Sequence, residues 1–488
     1  MLNCRRGGLL AAVSSAALVL GAFAPASAET LADAIALAYD TNPTLLAQRA
    51  SQRALDESAV QARSGLRPSI TGTAQGNYSE SRTPGGTPGN VESNSGNASV
   101  SVNQPLLTGG RVAASISAAE ADILAGQENL RRVEASILSQ VIQAYVDTRR
   151  DQESLRIRQE NVRVLARQLD ESKARFEVGE ITRTDVAQSE ARYAAAVAQL
   201  SSAQAQLGNT RATYAAVVGQ NPGDLAPEPS LADVLPADIT QALEIAQIAN
   251  PAVRAAQYTE QASKARLAGA RAERMPSLSL RSTAGWSGTA DPMDTDTWSR
   301  SVTGAAVVTI PLFTGGLTNS RVRAQIERNN VDRVGVESAR RTMLQNLTQS
   351  WNQLIAARAN IGSTETQVKA ARIAAEGTRQ EQQVGLRTTI DVLNAEQELR
   401  SAELAQVSAR RDEYVASVGV LAQMGRLEAK YIAAGVPIYD ATKNSRSLRV
   451  TWGWVPWEEP LALADGILTP KARRLPLPAE DAPIPTAK

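Results

Sequence analysis

Two hydrophobic periods divide this chain. Over the proline-free runs 111–178 and 318–384, apolar residues return at every seventh position. Ile116, Ile123, Leu130 and Ile137 make one series, Leu155, Val162, Leu169 and Phe176 a second, and Leu347, Leu354, Ile361, Val368 and Ala375 a third. Sustained heptads predict helices packed as coiled coils rather than a globular core. At about 1.5 Å per residue, each run reaches roughly 100 Å. Each run meets a glycine turn and returns as a second helix, over 185–218 and 391–423. Segments 31–63 and 239–274 predict further helices, each interrupted near an Asn-Pro.

The second period is two. Ile70, Gly72, Ala74, Gly76 and Tyr78 alternate with Thr71, Thr73, Gln75 and Asn77, and Ala98, Val100 and Val102 with Ser99, Ser101 and Asn103. Leu278 and Leu280 alternate with Ser279 and Arg281, and Val302, Ala306 and Val308 with Thr303, Val307 and Thr309. Each pair of strands encloses a Gly/Pro/Asn-rich loop, and Trp286 and Trp298 flank the second loop. The strands are long enough to cross a bilayer at a tilt. Period two alone fits a soluble hairpin with one wet face equally well. Small and Thr-rich alternation suits a wall with lipid outside and water inside.

The halves repeat in order. Pro43 and Pro251, like Pro68 and Pro276, are 208 positions apart, while Pro105 and Pro311, Gly179 and Gly385, and Asp185 and Asp391 are 206 apart. The two-residue slip falls between Pro68 and Pro105, inside the hairpin, because a loop tolerates a change of length that packed helices do not. Four strands per chain cannot close a barrel, for which about eight is the practical minimum. An open edge cannot stay in lipid. Spanning strands therefore require copies to associate, most simply as a symmetric ring.

Composition sharpens this picture. Arg5 and Arg6, the apolar run 9–23 and Ala26-Ser27-Ala28 predict an export signal over 1–28. No later segment is long and apolar enough for a membrane helix, so any span must be β. Removing the signal takes the formal charge from +1 to 1 − 2 = −1, which argues against nucleic acid as a partner. The single cysteine, Cys4, would leave with the signal, taking disulfides and a lipid-bearing cysteine out of consideration. The chain has no histidine, which excludes Ser-His-Asp chemistry and His-bearing metal sites. No residues group as a nucleophile, base and oxyanion site, so no catalytic residue, metal or cofactor is assigned.

The glycine turns read "VGEITRTDVAQSE" and "VGLRTTIDVLNAE". Gly179 and Gly385 suit a left-handed helix stop. Thr182 with Asp185, and Thr388 with Asp391, fit capping boxes for the returning helices. With these turns, the two P-L-[LF]-T-G-G boxes after the hairpins and the duplication, the chain resembles the TolC family of outer-membrane channel-tunnels from Glu29 to about Gln423. The fold implied is mostly α with a membrane β-barrel. Three chains form a 12-strand barrel, four strands each, joined to a 12-helix periplasmic coiled-coil tunnel. The resemblance further implies a homotrimer in outer-membrane lipid whose inner tip opens to a periplasmic adaptor (membrane fusion protein) and an inner-membrane transporter of RND or ABC type.

The resemblance also assigns residues. Arg387 matches a clasp arginine, and Thr184 and Asp185 its partners across the chain boundary; Gln382 stands where the family has a clasp tyrosine. Asp391 matches one acidic ring at the pore constriction, and Asn394 stands at the second. Val178, Gly179, Val384, Gly385 and Leu386 match the adaptor-binding tip, although the apolar ones could instead simply close the coiled coil. The expected organisation is signal 1–28; tunnel helices 29–66; hairpin 67–106; long helix, tip turn and return helix 107–220; linker 221–238; tunnel helices 239–274; hairpin 275–312; long helix, tip turn and return helix 313–425; and an equatorial segment with a disordered tail, 426–488. The function implied is the exit duct of a tripartite export system, for small molecules or unfolded proteins. The alternative is a periplasmic coiled-coil structural or adaptor protein without a barrel.

Overall fold

The computed structural model of the protein describes residues 28–82, 91–290, 296, 298–432, 438–448, 450–451, 453–467 and 469–476. The export signal up to residue 27, parts of both strand loops and the tail beyond 476 lie outside the described residues. Two helices, a hairpin and two helices occur twice in succession. The first set is α1 (Leu31–Thr41), α2 (Pro43–Arg63), β1 (Ser69–Ser81), β2 (Val91–Leu107), α3 (Arg111–Glu177) and α4 (Arg183–Val218). The second is α5 (Ile239–Ala249), α6 (Pro251–Ala272), β3 (Ser277–Thr289), β4 (Ser299–Thr309), α7 (Leu317–Gln383) and α8 (Thr389–Gln423). Short helices α9 (Ala429–Ile432), α10 (Ala441–Ser447) and α11 (Glu458–Asp465) follow.

The Asn-Pro interruptions are corners with a mechanism. Proline cannot continue the preceding helix but is pre-set for the first turn of the next. Asn42 ends α1 and caps α2, accepting from the backbone N–H of Thr44 (3.0 Å) and Leu45 (3.3 Å). Its amide donates to the Val217 carbonyl at the end of α4 (3.0 Å). Asn250 does the same in the second half, accepting from Ala252 (3.0 Å) and Val253 (3.2 Å) and donating to the Gln423 carbonyl (2.7 Å). One side chain thus caps one helix start and satisfies a carbonyl at another helix end.

Long helices need cover along their length, and α3 has it. It packs against α2 and α6 nearer the sheet, and against α4 and α8. Where these elements meet the linker, Tyr145 and Tyr214 are fully buried. The Tyr145 hydroxyl donates to the carbonyls of Glu29 (2.9 Å) and Ala226 (2.7 Å), so the 221–238 connection is held against the first helix pair.

On the sheet side of this core a charge cluster joins α3, α6 and the segment after α8. Glu128 pairs with Arg131 (2.6 Å) and Arg254 (2.7 Å), and Arg131 with Glu428 (2.6 Å). Burial, then the neighbouring Glu428 charge, pushes the Glu134 carboxyl from its ordinary 4.5 up to about 7, against the opposing pull of Arg49 and Arg131. Folded protein then retains a proton between pH 4.5 and 7 that unfolded chain has released, so stability falls as pH rises through that window. Glu134→Gln should recover on the order of 3 kcal/mol above pH 7 and nothing near pH 4. Thermal melts in detergent at the two pH values check this; an equal shift at both would exclude titration of Glu134 as the cause.

The four strands form one antiparallel sheet in the order β1-β2-β3-β4. Register sorts their side chains by parity. Ile70 pairs with Val102, Gly72 with Val100 and Ala74 with Ala98. Ala98 pairs in turn with Trp286 and Val100 with Ala284. Leu278 pairs with Val308, Leu280 with Ala306 and Ala284 with Val302. All lie on one face. The opposite face carries Thr71, Thr73, Ser99, Ser101, Ser279, Thr283, Ser301 and Thr303. At about 3.3 Å per residue the apolar face, from Leu278 to Gly288, is roughly 33 Å along the strand and about 25 Å tall once tilted. Among the described residues its middle is left bare: Ile70 is 71% exposed and Val302 63%. Trp298 lies over the paired glycines Gly96 and Gly288 at the loop end, where any side chain would collide with its ring.

Candidate functional site

The two tips are built alike. At the end of α3 the Gly179 N–H donates to the Phe176 carbonyl (3.0 Å) and the Glu180 N–H to Arg175 (2.9 Å). At the end of α7 Gly385 donates to Gln382 (3.0 Å) and Leu386 to Glu381 (2.8 Å). Both are Schellman closures, which need a left-handed residue, and Gly179 (φ 79°) and Gly385 (φ 80°) supply it. Three residues on, Thr182 accepts from the Asp185 N–H (3.3 Å), and the Asp185 carboxylate accepts from the Thr182 N–H (3.0 Å). Thr388 and Asp391 repeat the box at 3.4 and 3.1 Å. Glycine stop and capping box reverse the chain within five residues, between α7 and α8 as between α3 and α4.

The expected site residues fall into three groups. Val178, Val384 and Leu386 are exposed at the extreme tip (72%, 71% and 76%). They do not close this chain's own coiled coil. Phe176, the last member of its heptad series, is also exposed, because the helix stops before α4 begins opposite it. Arg387 ion-pairs with Glu381 on its own helix hairpin (2.8 Å). That hydrogen bond and the Glu381 charge hold the guanidinium firmly protonated. The first-turn acids serve locally: Asp185 bonds the Thr182 hydroxyl (2.7 Å) and Asp391 the Thr388 hydroxyl (2.7 Å). Hydrogen bonds from the Thr388 side chain and backbone keep Asp391 ionised below the usual carboxylate range. Thr184 is exposed beside Asp185. Gln382 is buried at the end of α7, unlike the exposed residues around it.

Asn394 joins the two halves. Its side-chain oxygen accepts from the Arg192 guanidinium of α4 (3.0 Å), which also donates to Gln397. Next to this link Leu165, Ala196 and Leu393 pack α3, α4 and α8 together. Arg192 was not marked by any motif. Glu381 was also missed, although its six-residue separation from Arg387 spans the turn that brings them together. Glu396, buried and paired with Arg379 and with Arg400 (3.6 Å), had a visible signal in its i,i+4 spacing to Arg400. Among the described residues no group of acids, cysteines or histidines could hold a metal ion.

This architecture has known counterparts. A family model described as Outer membrane efflux protein matches residues 34–220 and 242–426, one block per repeat. The chain is 34% identical over 427 residues to the outer membrane efflux protein BepC of Brucella suis, covering 88% of this chain and 92% of that one. It is 27% identical over 403 residues to the outer membrane protein TolC of Vibrio cholerae, covering 81% and 90%. The fold matches the open-state MtrE outer membrane channel of Neisseria gonorrhoeae with a TM-score of 0.69 at 23% identity, covering 82% and 90%. Duplicated hairpins, paired tips and matched sequence agree: the chain belongs to the outer membrane efflux protein family, the TolC-type channels of the outer membrane.

Proposed function

We propose that three copies of the chain form a gated duct that takes cargo from an inner-membrane transporter and releases it outside the cell. The observation that carries this reading is the sheet: among the described residues it has four strands, one bare apolar face, one polar face and two edges with no strand beside them. Edge backbone groups cannot stay unpaired in lipid. Joining β4 of one copy to β1 of the next satisfies both edges, and three copies give twelve strands around water. The helices support the same closure. On α7, exposed Val331 and Ile373 are 42 positions apart and exposed Val334 and Ile355 are 21 apart, whole multiples of seven. They mark a second heptad seam, separate from the buried one, and fit a neighbouring copy.

In this duct the capping boxes fix the tips and the remaining polar groups gate them. Arg387 would exchange Glu381 for Thr184 and Asp185 of the adjacent copy, an assignment that rests on the family resemblance. Exposed pairs are individually weak, which suits a closure that must open. Gln382, being buried, contributes no link between copies. Asp391 would contribute one carboxylate per copy to a cation-retaining ring at the constriction, where Asn394 adds none. The exposed valines and Leu386 would receive a periplasmic adaptor, coupling the duct to a transporter of RND or ABC type. The whole works as a passive export duct rather than an enzyme.

Planar-bilayer recording tests the gate. Arg387→Ala should raise single-channel conductance several-fold, and Asp391→Asn in the same bilayers should weaken block by multivalent cations. Unchanged conductance would remove the clasp and leave the duct. Release of the protein from membranes by salt alone, without detergent, would instead favour a periplasmic coiled-coil protein without a barrel.

A further inference from the structure

The part of the chain outside the repeat contains a helix built inside out. The buried residues of α11 are the acids Glu458 and Asp465. Its outward side carries Trp457, Pro460, Leu463 and Ala464, with exposed Glu459 at one edge in the first turn, and Ile467 continues the apolar stripe just past the helix end at a spacing of three or four. Ile467 is 80% exposed and Leu463 63%. A helix facing water shows the reverse pattern.

Both acids are used at one level of the molecule. Glu458 pairs with Arg67, two residues before β1, at 2.8 Å. Asp465 accepts from the N–H groups of Thr108 (2.7 Å) and Gly110 (3.0 Å), between β2 and α3. With each end tied at the foot of the sheet, α11 lies across that foot. The Trp457 indole N–H donates to Gln104 (3.3 Å). Gln104 pairs with Leu280, so it belongs to the apolar face and not to the polar one.

The strands themselves place their aromatic residues, Tyr78 and Trp286, toward the loop end, where Trp298 joins them. At the foot the second repeat has Phe313 after β4, whereas the first repeat has Leu107. Exposed Trp454 and Trp457 supply the aromatic groups that the first repeat lacks there. Tryptophan at the boundary between headgroups and acyl chains is the residue best suited to that position.

We propose that the segment from Trp454 to Ile467 is an interfacial anchor, whose outward apolar face beds into the phospholipid leaflet at the foot of the barrel. Exposed Lys471 follows it and suits phosphate headgroups. The proposal rests on the apolar face of the sheet meeting lipid, and continuity with that face through Gln104 is what selects lipid over a second copy of the chain.

Spin labels test it. In a Cys4→Ser background, single cysteines replace Leu463, Ile467, Lys443 on α10 and Val302 in β4, and the full-length protein is reconstituted in phospholipid vesicles. Collision with oxygen, relative to a water-soluble nickel chelate, should be several-fold higher at 463 and 467 than at 443, and should indicate less depth than at 302. Equal ratios at 467 and 443, with 302 reading as lipid, would overturn the anchor and leave the barrel standing. Low collision with both reagents at 463 and 467 would mean that a second copy covers them, and would also overturn it. Water-like collision at 302 would overturn the barrel and the anchor together.

Discussion

Val302→Arg should abolish stable membrane insertion, while Thr303→Arg, one residue on, should leave it intact. Val302 pairs with Ala284 on the apolar face near mid-strand, and Thr303 pairs with Thr283 on the polar face. An arginine facing lipid at the bilayer midplane costs about 2–4 kcal/mol. Three copies in the proposed ring bring that to roughly 6–12 kcal/mol, comparable with the whole stability of a domain. An arginine facing the lumen keeps its water. It should change conductance and ion preference by placing three cations around the bore, with little effect on assembly. Vesicle flotation and resistance to urea extraction read the difference. Insertion of Val302→Arg together with loss of Thr303→Arg would reverse the two faces; insertion of both would show that neither face meets lipid.

This contrast was available from the sequence because strand periodicity is strict. A side chain's face follows from parity alone, and the register of β1 with β2 and of β3 with β4 keeps Ile70, Val100, Leu280 and Val302 together. The tips were equally legible, since a Schellman glycine and a capping box are local devices that need no distant partner. Asn42 and Asn250 were visible as helix interruptions, but not as clamps on Val217 and Gln423, because those partners are supplied by folding. At the tip, the resemblance directed Arg387 to another copy, and the competing partner Glu381 lies only six positions away, across the turn. Arg192 shows the limit most plainly. It meets Asn394 from 202 positions away, and neither residue sits in a pattern that would announce the other. The C-terminal segment was legible as an equatorial addition outside the repeat, but the orientation of its helix was not, for a related reason. It has no repeat to be compared with, and an apolar stripe in an eight-residue helix does not say whether it faces inward or outward.

Arg67→Ala should cost more stability than any single change at the tips, because it strands a charge. Arg67 and Glu458 are 8% and 5% exposed, bonded at 2.8 Å, and 391 positions apart. Removing one member of a buried pair typically costs about 3–5 kcal/mol, since the other charge keeps its burial without its partner. Replacing both with apolar residues of similar size is often close to neutral. Arg67→Met with Glu458→Leu should therefore recover most of what Arg67→Ala loses, which separates a stranded charge from a simple packing defect. Loss should also be directional. The far end of α11 keeps Asp465, whose carboxylate still accepts from the Thr108 hydroxyl (2.6 Å) and the Ala113 N–H (3.3 Å). Arg67→Ala should loosen the segment before Glu458 first, speeding trypsin cleavage after Arg446 on α10, while cleavage after exposed Lys471 keeps its rate until Asp465 is also replaced. Thermal melts and timed trypsin digestion in detergent check both parts. A double variant as unstable as Arg67→Ala, or faster cleavage at Lys471 with none gained at Arg446, would show that this segment is held by contacts other than this pair.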